Sequence, residues 1–270
     1  MTELPPNDLD KTLESLRKSI EEREKNKQYQ LAFWADPQRG IPNEFARSAL
    51  FAAVPLNKAK YLKREPIFSQ KGFTITFTGE QLTQSDLDVF EGVMHLARGI
   101  HENNHIRFKA GRLLKLIDRK VGKSQYEWLV TVLHKLGATV IGVEREGKAV
   151  YWGSILPEGA AKLDNGEFVV QINRQLIKLF DRGFTAIEWE QRRRLKRKPL
   201  AQHLHAWICS HTKPFPVTVE YLRDLTGSET KELKFFRRNL KNALEEIQKT
   251  GAITAYHIDE EDKVYITKAQ

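Results

Sequence analysis

The sequence feature that most restricts the possible folds is an internal duplication in register. Lys135-Leu136-Gly137-Ala138 precedes Val150-Tyr151, and Lys249-Thr250-Gly251-Ala252 precedes Val264-Tyr265, at one constant offset along the chain. In both halves the stretch before the glycine has helical spacing, and two apolar runs with period-two character follow it. A glycine just past a helical run stops it, because a residue without Cβ adopts the left-handed conformation at no steric cost. Each half therefore reads as a helix, a glycine in the C′ position and a two-stranded ribbon.

Two shorter helical segments come before the long helix in each half. In the first half, Leu87, Val89, Phe90, Val93, Met94, Leu96 and Ala97 form one stripe, and Leu113, Leu114 and Ile117 another. A third helix starts at Ser124 and runs through Leu136. In the second half, helical signals run over 200–210, 217–225 and 230–249. Helix, helix, helix, ribbon is the element order of a winged helix, a helix-turn-helix with a β-hairpin beside it. The expected fold class is α+β, two winged-helix domains in tandem behind a charged N-terminal arm. The expected divisions are 1–40 for the arm and linker, 41–184 for the first domain and 185–270 for the second. Within the arm, Leu9, Leu13, Leu16 and Ile20 give residues 7–28 a single narrow apolar stripe, too short to be a stable helix alone. Phe73 to Phe77 alternates apolar residues with threonine, a half-buried strand.

Charge bears on the class of partner. Forty-four Lys and Arg against 35 Asp and Glu give a net charge of +9. Such a balance favours a polyanionic partner. No apolar run approaches the roughly 20 residues that span a bilayer, and the N-terminus has no secretory-signal pattern. No membrane association is expected. One cysteine, Cys209, excludes an intramolecular disulfide and a Cys-rich zinc site, and a reducing cytoplasm is the expected setting.

The candidate recognition element is the helix after Ser228, which is placed to cap it. At 100° per residue, Leu233, Phe236, Leu240, Ala243, Leu244 and Ile247 converge on one face. The opposite face gathers Lys231, Arg238 and Asn242, flanked by Lys234 and Lys241, with Phe235 beside them. Arg and Lys can donate to guanine O6 and N7, Asn can pair with adenine, and Phe can meet a thymine methyl. Arg237 lies nearer the core edge. The acidic turn Asp259-Glu260-Glu261-Asp262 should avoid phosphates. In the first domain, Lys123 and Ser124 open a helix whose outer face also carries Glu127, Thr131, His134 and Lys135. The run 192–198 is the densest local positive patch, and Arg193 and Arg194 in it are candidate phosphate contacts; a solvated linker face explains it equally well.

Three patterns look chemical without meeting the chemistry's demands. Val121-Gly122-Lys123-Ser124 ends like a phosphate-binding loop, but Ile117 stands where the first glycine is required. His203-Leu204-His205 resembles a nickase metal motif, with Tyr221 as a possible nucleophile. Leu200, Leu204, Trp207 and Ile208 instead indicate a helix, on which the two histidines diverge. His205, Cys209 and His211 read better as structural polar residues than as zinc ligands. No cofactor, metal or enzymatic activity is expected.

Three segments resemble a known family. Asn43 to Phe51 (NEFARSALF), Phe77 to Leu82 (FTGEQL) and Ser210 to Glu220 (SHTKPFPVTVE) are similar to TrfA-type plasmid replication initiators, in matching order over most of residues 30–270. The resemblance implies two winged-helix domains on directly repeated origin sequences (iterons) in double-stranded DNA. It also implies opening of adjacent AT-rich DNA, work with a host initiator and helicase, and an inactive homodimer. A winged-helix repressor is the alternative with the same parts, and a His/Tyr nickase a further one. The family implies a reading of Gln30-Leu31-Ala32-Phe33-Trp34 too. Gln30, Leu31, Phe33 and Trp34 are similar to the Gln-Leu-x-Leu-Phe peptide that binds the host sliding clamp, with Phe for Leu and Trp for Phe. Docking of the linker onto the domain is the competing explanation. On the clamp reading the segment lies outside both folded domains.

Overall fold

A computed structural model describes residues 30–55, 59–100, 105–156, 161–162, 167–171 and 174–269, with Glu14, Ser15 and Lys18. Apart from those three, the arm helix expected over 7–28 lies outside the described residues.

The first body runs β1 (Gln38–Pro42), α1 (Asn43–Ala46), β2 (Phe51–Ala52), β3 (Tyr61–Ile67), β4 (Thr74–Glu80), β5 (Leu82–Thr83) and α2 (Gln84–Ala97). It continues with β6 (His105–Lys109), α3 (Ala110–Leu116), α4 (Lys123–Ala138), β7 (Val140–Arg145) and β8 (Lys148–Ser154). It closes with β9 (Ala161–Lys162), β10 (Glu167–Gln171), α5 (Arg174–Asp181), β11 (Phe184–Glu188) and α6 (Trp189–Arg194). The second body holds α7 (Pro199–Cys209), β12 (Val217–Thr218), α8 (Val219–Leu225), α9 (Leu233–Thr250), β13 (Ile253–Ile258) and β14 (Lys263–Lys268).

The architecture is mixed α and β. Each body has its own core: Leu31 to Ile187 contribute to the first, joined by Ala206, and Leu195 to Val264 to the second. This moves both expected boundaries. β11 pairs antiparallel with β1, Ile41 opposite Thr185, so residues 184–188 belong to the first body rather than opening the second. Residues 31–40 belong to it as well.

The expected ribbon of the first half is part of something larger. β7 and β8 form half of a four-stranded antiparallel sheet, ordered β3-β4-β7-β8. Ile75 and Phe77 of β4 point into the core while Thr74 and Thr76 face out, as their alternation requires. In the second half β12 adds a third strand, giving β12-β14-β13. The strand Val217–Thr218 takes the start of the expected helix, and Thr218 then caps α8, its Oγ1 accepting from Tyr221 N at 3.0 Å.

The two glycines of the duplication differ. Gly251 is the left-handed cap of α9, with φ of 83°. Gly137 instead lies inside α4, which runs on to Ala138. The last carbonyls of α4 are bound otherwise: Thr139 N and Oγ1 donate to Lys135 O at 3.0 and 2.8 Å, and Ser154 Oγ to Gly137 O at 2.6 Å. With those acceptors satisfied, no left-handed turn is needed there.

Candidate nucleic-acid interface

α9 carries the expected face, with its start displaced. The helix begins at Leu233, after Glu232, rather than at the Ser228 cap. Ser228 Oγ accepts from Thr230 N at 3.3 Å within the preceding loop, so Lys231 precedes the helix. Phe236, Leu240, Ala243, Leu244 and Ile247 are buried, while Lys231, Lys234, Phe235, Arg238, Lys241 and Asn242 are exposed. Phe235 is bracketed by two cations, Lys234 Nζ at 4.9 Å and Arg238 Cζ at 5.7 Å from its ring centroid. That packing holds an apolar edge between two donors. Lys234 also pairs with Glu232 at 3.0 Å. Lys231 and Asn242, with Asn239, border a hollow of about 770 Å³ between α9, the start of α7 and Val54-Pro55.

Arg237 fastens the ribbon. Its guanidinium binds the Asp262 carboxylate and donates to Asp259 O at 3.0 Å, while Asp262 O accepts from Val219 N at 2.8 Å. The acidic turn is thereby tied to α9 and to the start of α8.

The basic run 192–198 is largely consumed by partners. Arg192 is 1% exposed and pairs with Asp88 at 2.8 Å and Glu91 at 3.1 Å. Arg193 and Arg194 both pair with Glu190, Lys196 with Asp118 and Lys198 with Glu246. Lys123 and Ser124 are exposed at the start of α4, away from α9 in the chain. Lys135, taken for an outer-face residue, pairs with Asp86 at 2.9 Å and Glu80 at 3.2 Å and is 7% exposed. Sequence reasoning missed a larger set of exposed cations on β6, α3 and the loop to α4: Arg107, Lys109, Arg112, Lys115 and Lys120. A count of charge by window over 105–126 finds it.

The segment 30–34 is not a free peptide. Leu31 is 1% and Trp34 3% exposed. Trp34 stacks on Phe180 at 5.7 Å, lies where a Cβ on Gly40 would be 2.6 Å away, and donates Nε1–H to His95 Nδ1 at 3.2 Å. Leu31 N donates to Ile100 O, and Leu31 O accepts from Gly99 N, both at 3.0 Å. This corrects the placement outside the folded domains: apolar burial has recruited Leu31 and Trp34 to the core. Gln30 and Phe33 stay exposed.

His203 and His205 lie on α7 and are both buried. His203 Nδ1 donates to Phe51 O at 3.0 Å, and His205 Nε2 lies 3.1 Å from Gln191 Oε1. Burial lowers their pKa to about 4 and about 3, so both are neutral near pH 7. Tyr221 packs edge-on against Phe68 at 5.3 Å. Among the described residues no His, Cys, Asp and Glu cluster could hold a metal.

The family model described as "TrfA protein" matches residues 10–268. The chain belongs to the TrfA family. A curated TrfA relative, the plasmid replication initiator protein TrfA of Escherichia coli, is 27% identical over 237 residues, 83% of this chain. That stretch spans 60% of the relative's length. Among solved structures, domains 2 and 3 of RctB (selenomethionine derivative) match this TrfA-family chain with a TM-score of 0.51 at 14% identity. The match covers 76% of this chain and 85% of that one. A second structure of RctB domains 2-3 gives a TM-score of 0.49 at 13% identity, over 82% and 95%. No described helix is long and apolar enough to cross a membrane.

Proposed function

We propose that this chain is a non-enzymatic plasmid replication initiator that binds directly repeated origin sequences in duplex DNA. On this reading the second body is a winged helix whose α9 enters the major groove, and the first is a variant of the same unit with an enlarged sheet. The observation that carries it is the exposed stripe of α9, where Lys234, Phe235, Arg238, Lys241 and Asn242 present donors and one apolar edge. These side chains match the base-edge chemistry of the groove, and the opposite side of the helix is buried in its own core. Membership of the TrfA family, with a relative named as a plasmid replication initiator, supports the same reading. Origin opening, recruitment of host factors and an inactive homodimer extend it. Any clamp contact at 30–34 would rest on Gln30 and Phe33 alone.

The test is equilibrium binding to a duplex of direct repeats and to a scrambled duplex. Arg238→Ala and Asn242→Ala should each lower discrimination by about 1–3 kcal/mol per lost base contact. If both variants discriminate as the wild type does, α9 is not the reading helix.

A further inference from the structure

The net charge of the chain is concentrated where no base reading is assigned. Residues 105–126 contain seven Lys and Arg and one carboxylate, Asp118, which accounts for six of the chain's nine net positive charges. Arg107 and Lys109 point outward from β6 in alternation with buried Ile106 and Phe108. Arg112 and Lys115 line the exposed side of α3, whose Leu113 and Leu114 are buried. Lys120 and Lys123 follow in the loop and at the start of α4, both exposed. Among the described residues none of these six cations has a carboxylate partner. The single acid of the stretch is already bound by Lys196 at 3.2 Å. The contrast with 192–198 is direct: there five of the six cations are paired with acids, and here the six named are not.

The surface is also shaped. Lys109, Arg112 and Lys115 surround a shallow basin of about 590 Å³ whose floor includes Val121 and Tyr126, 48% and 38% exposed. The hollow beside α9 shares Val54, Pro55 and Pro199 with a cleft of about 690 Å³ between the bodies. Arg119 and Lys120 line that cleft, immediately before Val121 of the basin in the chain, and Arg119 Cζ lies 3.4 Å from the Trp128 ring centroid.

We infer that β6, α3 and the loop to α4 form a phosphodiester-binding surface that holds duplex DNA by its backbone, while α9 alone reads bases. The inference rests on the proposed function for its partner. It differs from a symmetric pair of reading heads, because the outer face of α4 offers Glu127, Thr131 and His134 rather than a row of donors. Exposed cations that outnumber the acids beside them contact phosphates without regard to sequence, and each contact releases counterions from the duplex.

The experiment is salt titration of binding by the full chain carrying Arg112→Ala with Lys115→Ala, on repeat and scrambled duplexes. The logarithmic salt slope should fall by about 2, roughly 0.9 for each phosphate contact removed. Affinity should fall equally on both duplexes, leaving their ratio as in the wild type. A second pair, Arg107→Gln with Lys120→Gln, should act the same way, with the thermal midpoint of both pairs unchanged because all four side chains are exposed. A wild-type salt slope in both pairs overturns the inference, as does a collapse of the repeat-to-scrambled ratio. Loss of binding to anionic vesicles with DNA binding intact overturns it too, and assigns the surface to lipid. The slope on scrambled DNA is independent of base reading, so failure of the Arg238 and Asn242 test would leave this result interpretable.

Discussion

Phe33 and Trp34 are neighbours in the chain with opposite fates. Trp34 fills the space between Phe180, Phe184 and the bare backbone of Gly40, and its indole N–H is satisfied by His95. Burial and the flanking Arg39 lower the His95 pKa to about 4, so the ring is neutral and Nδ1 can accept that proton. Phe33 is 72% exposed, with Arg98 5.6 Å from its ring centroid. Trp34→Ala should therefore cost about 3–5 kcal/mol of folding stability, and Phe33→Ala no more than about 0.5 kcal/mol, read by urea unfolding. Equal, small losses in the two variants would mean that 30–34 is a detachable peptide. No spacing rule separates these two residues, because a cluster of large apolar side chains looks the same whether it serves a core or a partner.

Among the elements, the duplicated helix-and-ribbon pattern was legible because periodicity, glycine placement and strand alternation are local properties. Their variants were not. α4 ends on Thr139 and Ser154 rather than on Gly137, and β3 and β4 widen the first ribbon through contacts between distant segments. Arg237 is similar: its position at the edge of the α9 core face was visible, but its clasp on Asp259 and Asp262 was not. That pair is about a third exposed, so Arg237→Ala should cost only about 0.5–1.5 kcal/mol of stability. The same variant should weaken affinity on repeat and scrambled duplexes alike, since it frees an acidic turn beside α9. Reduced discrimination without reduced affinity would instead make Arg237 a base contact.

In the whole molecule the two bodies are joined by buried polar contacts rather than by a linker. Ala53 N donates to Thr226 O at 2.7 Å, Arg47 Nε to Ser210 Oγ at 3.0 Å, and His203 Nδ1 to Phe51 O at 3.0 Å. Within the first body, Arg192 of α6 binds Glu91 of α2. Burial pushes the Glu91 carboxyl up to about 7 against the pull of Arg192, so the pair is held together by mutual need. Arg192→Met leaves Glu91 and Asp88 of the same body uncompensated and should cost about 3–5 kcal/mol, lowering the calorimetric midpoint. The deficit should be larger at about pH 9 than at about pH 6, because protonation of Glu91 removes part of the unpaired charge. An unshifted midpoint would show that the buried ion pair adds nothing to the stability of that body.

The sequence by itself determined the apolar face of the main helices and strands, and that the chain repeats one element order. These follow from the 3.6- and 2-residue periods, which a single strand of sequence records. Only the tertiary structure decided which charges are free. The run 192–198 and the stretch 105–126 are both rich in Lys and Arg, yet acids from α2, α6 and α9 and from the loop after α3 answer much of the first, and the second keeps most of its charge. A charge acts on a partner only if no closer one neutralises it, and closeness in space is what the chain order omits.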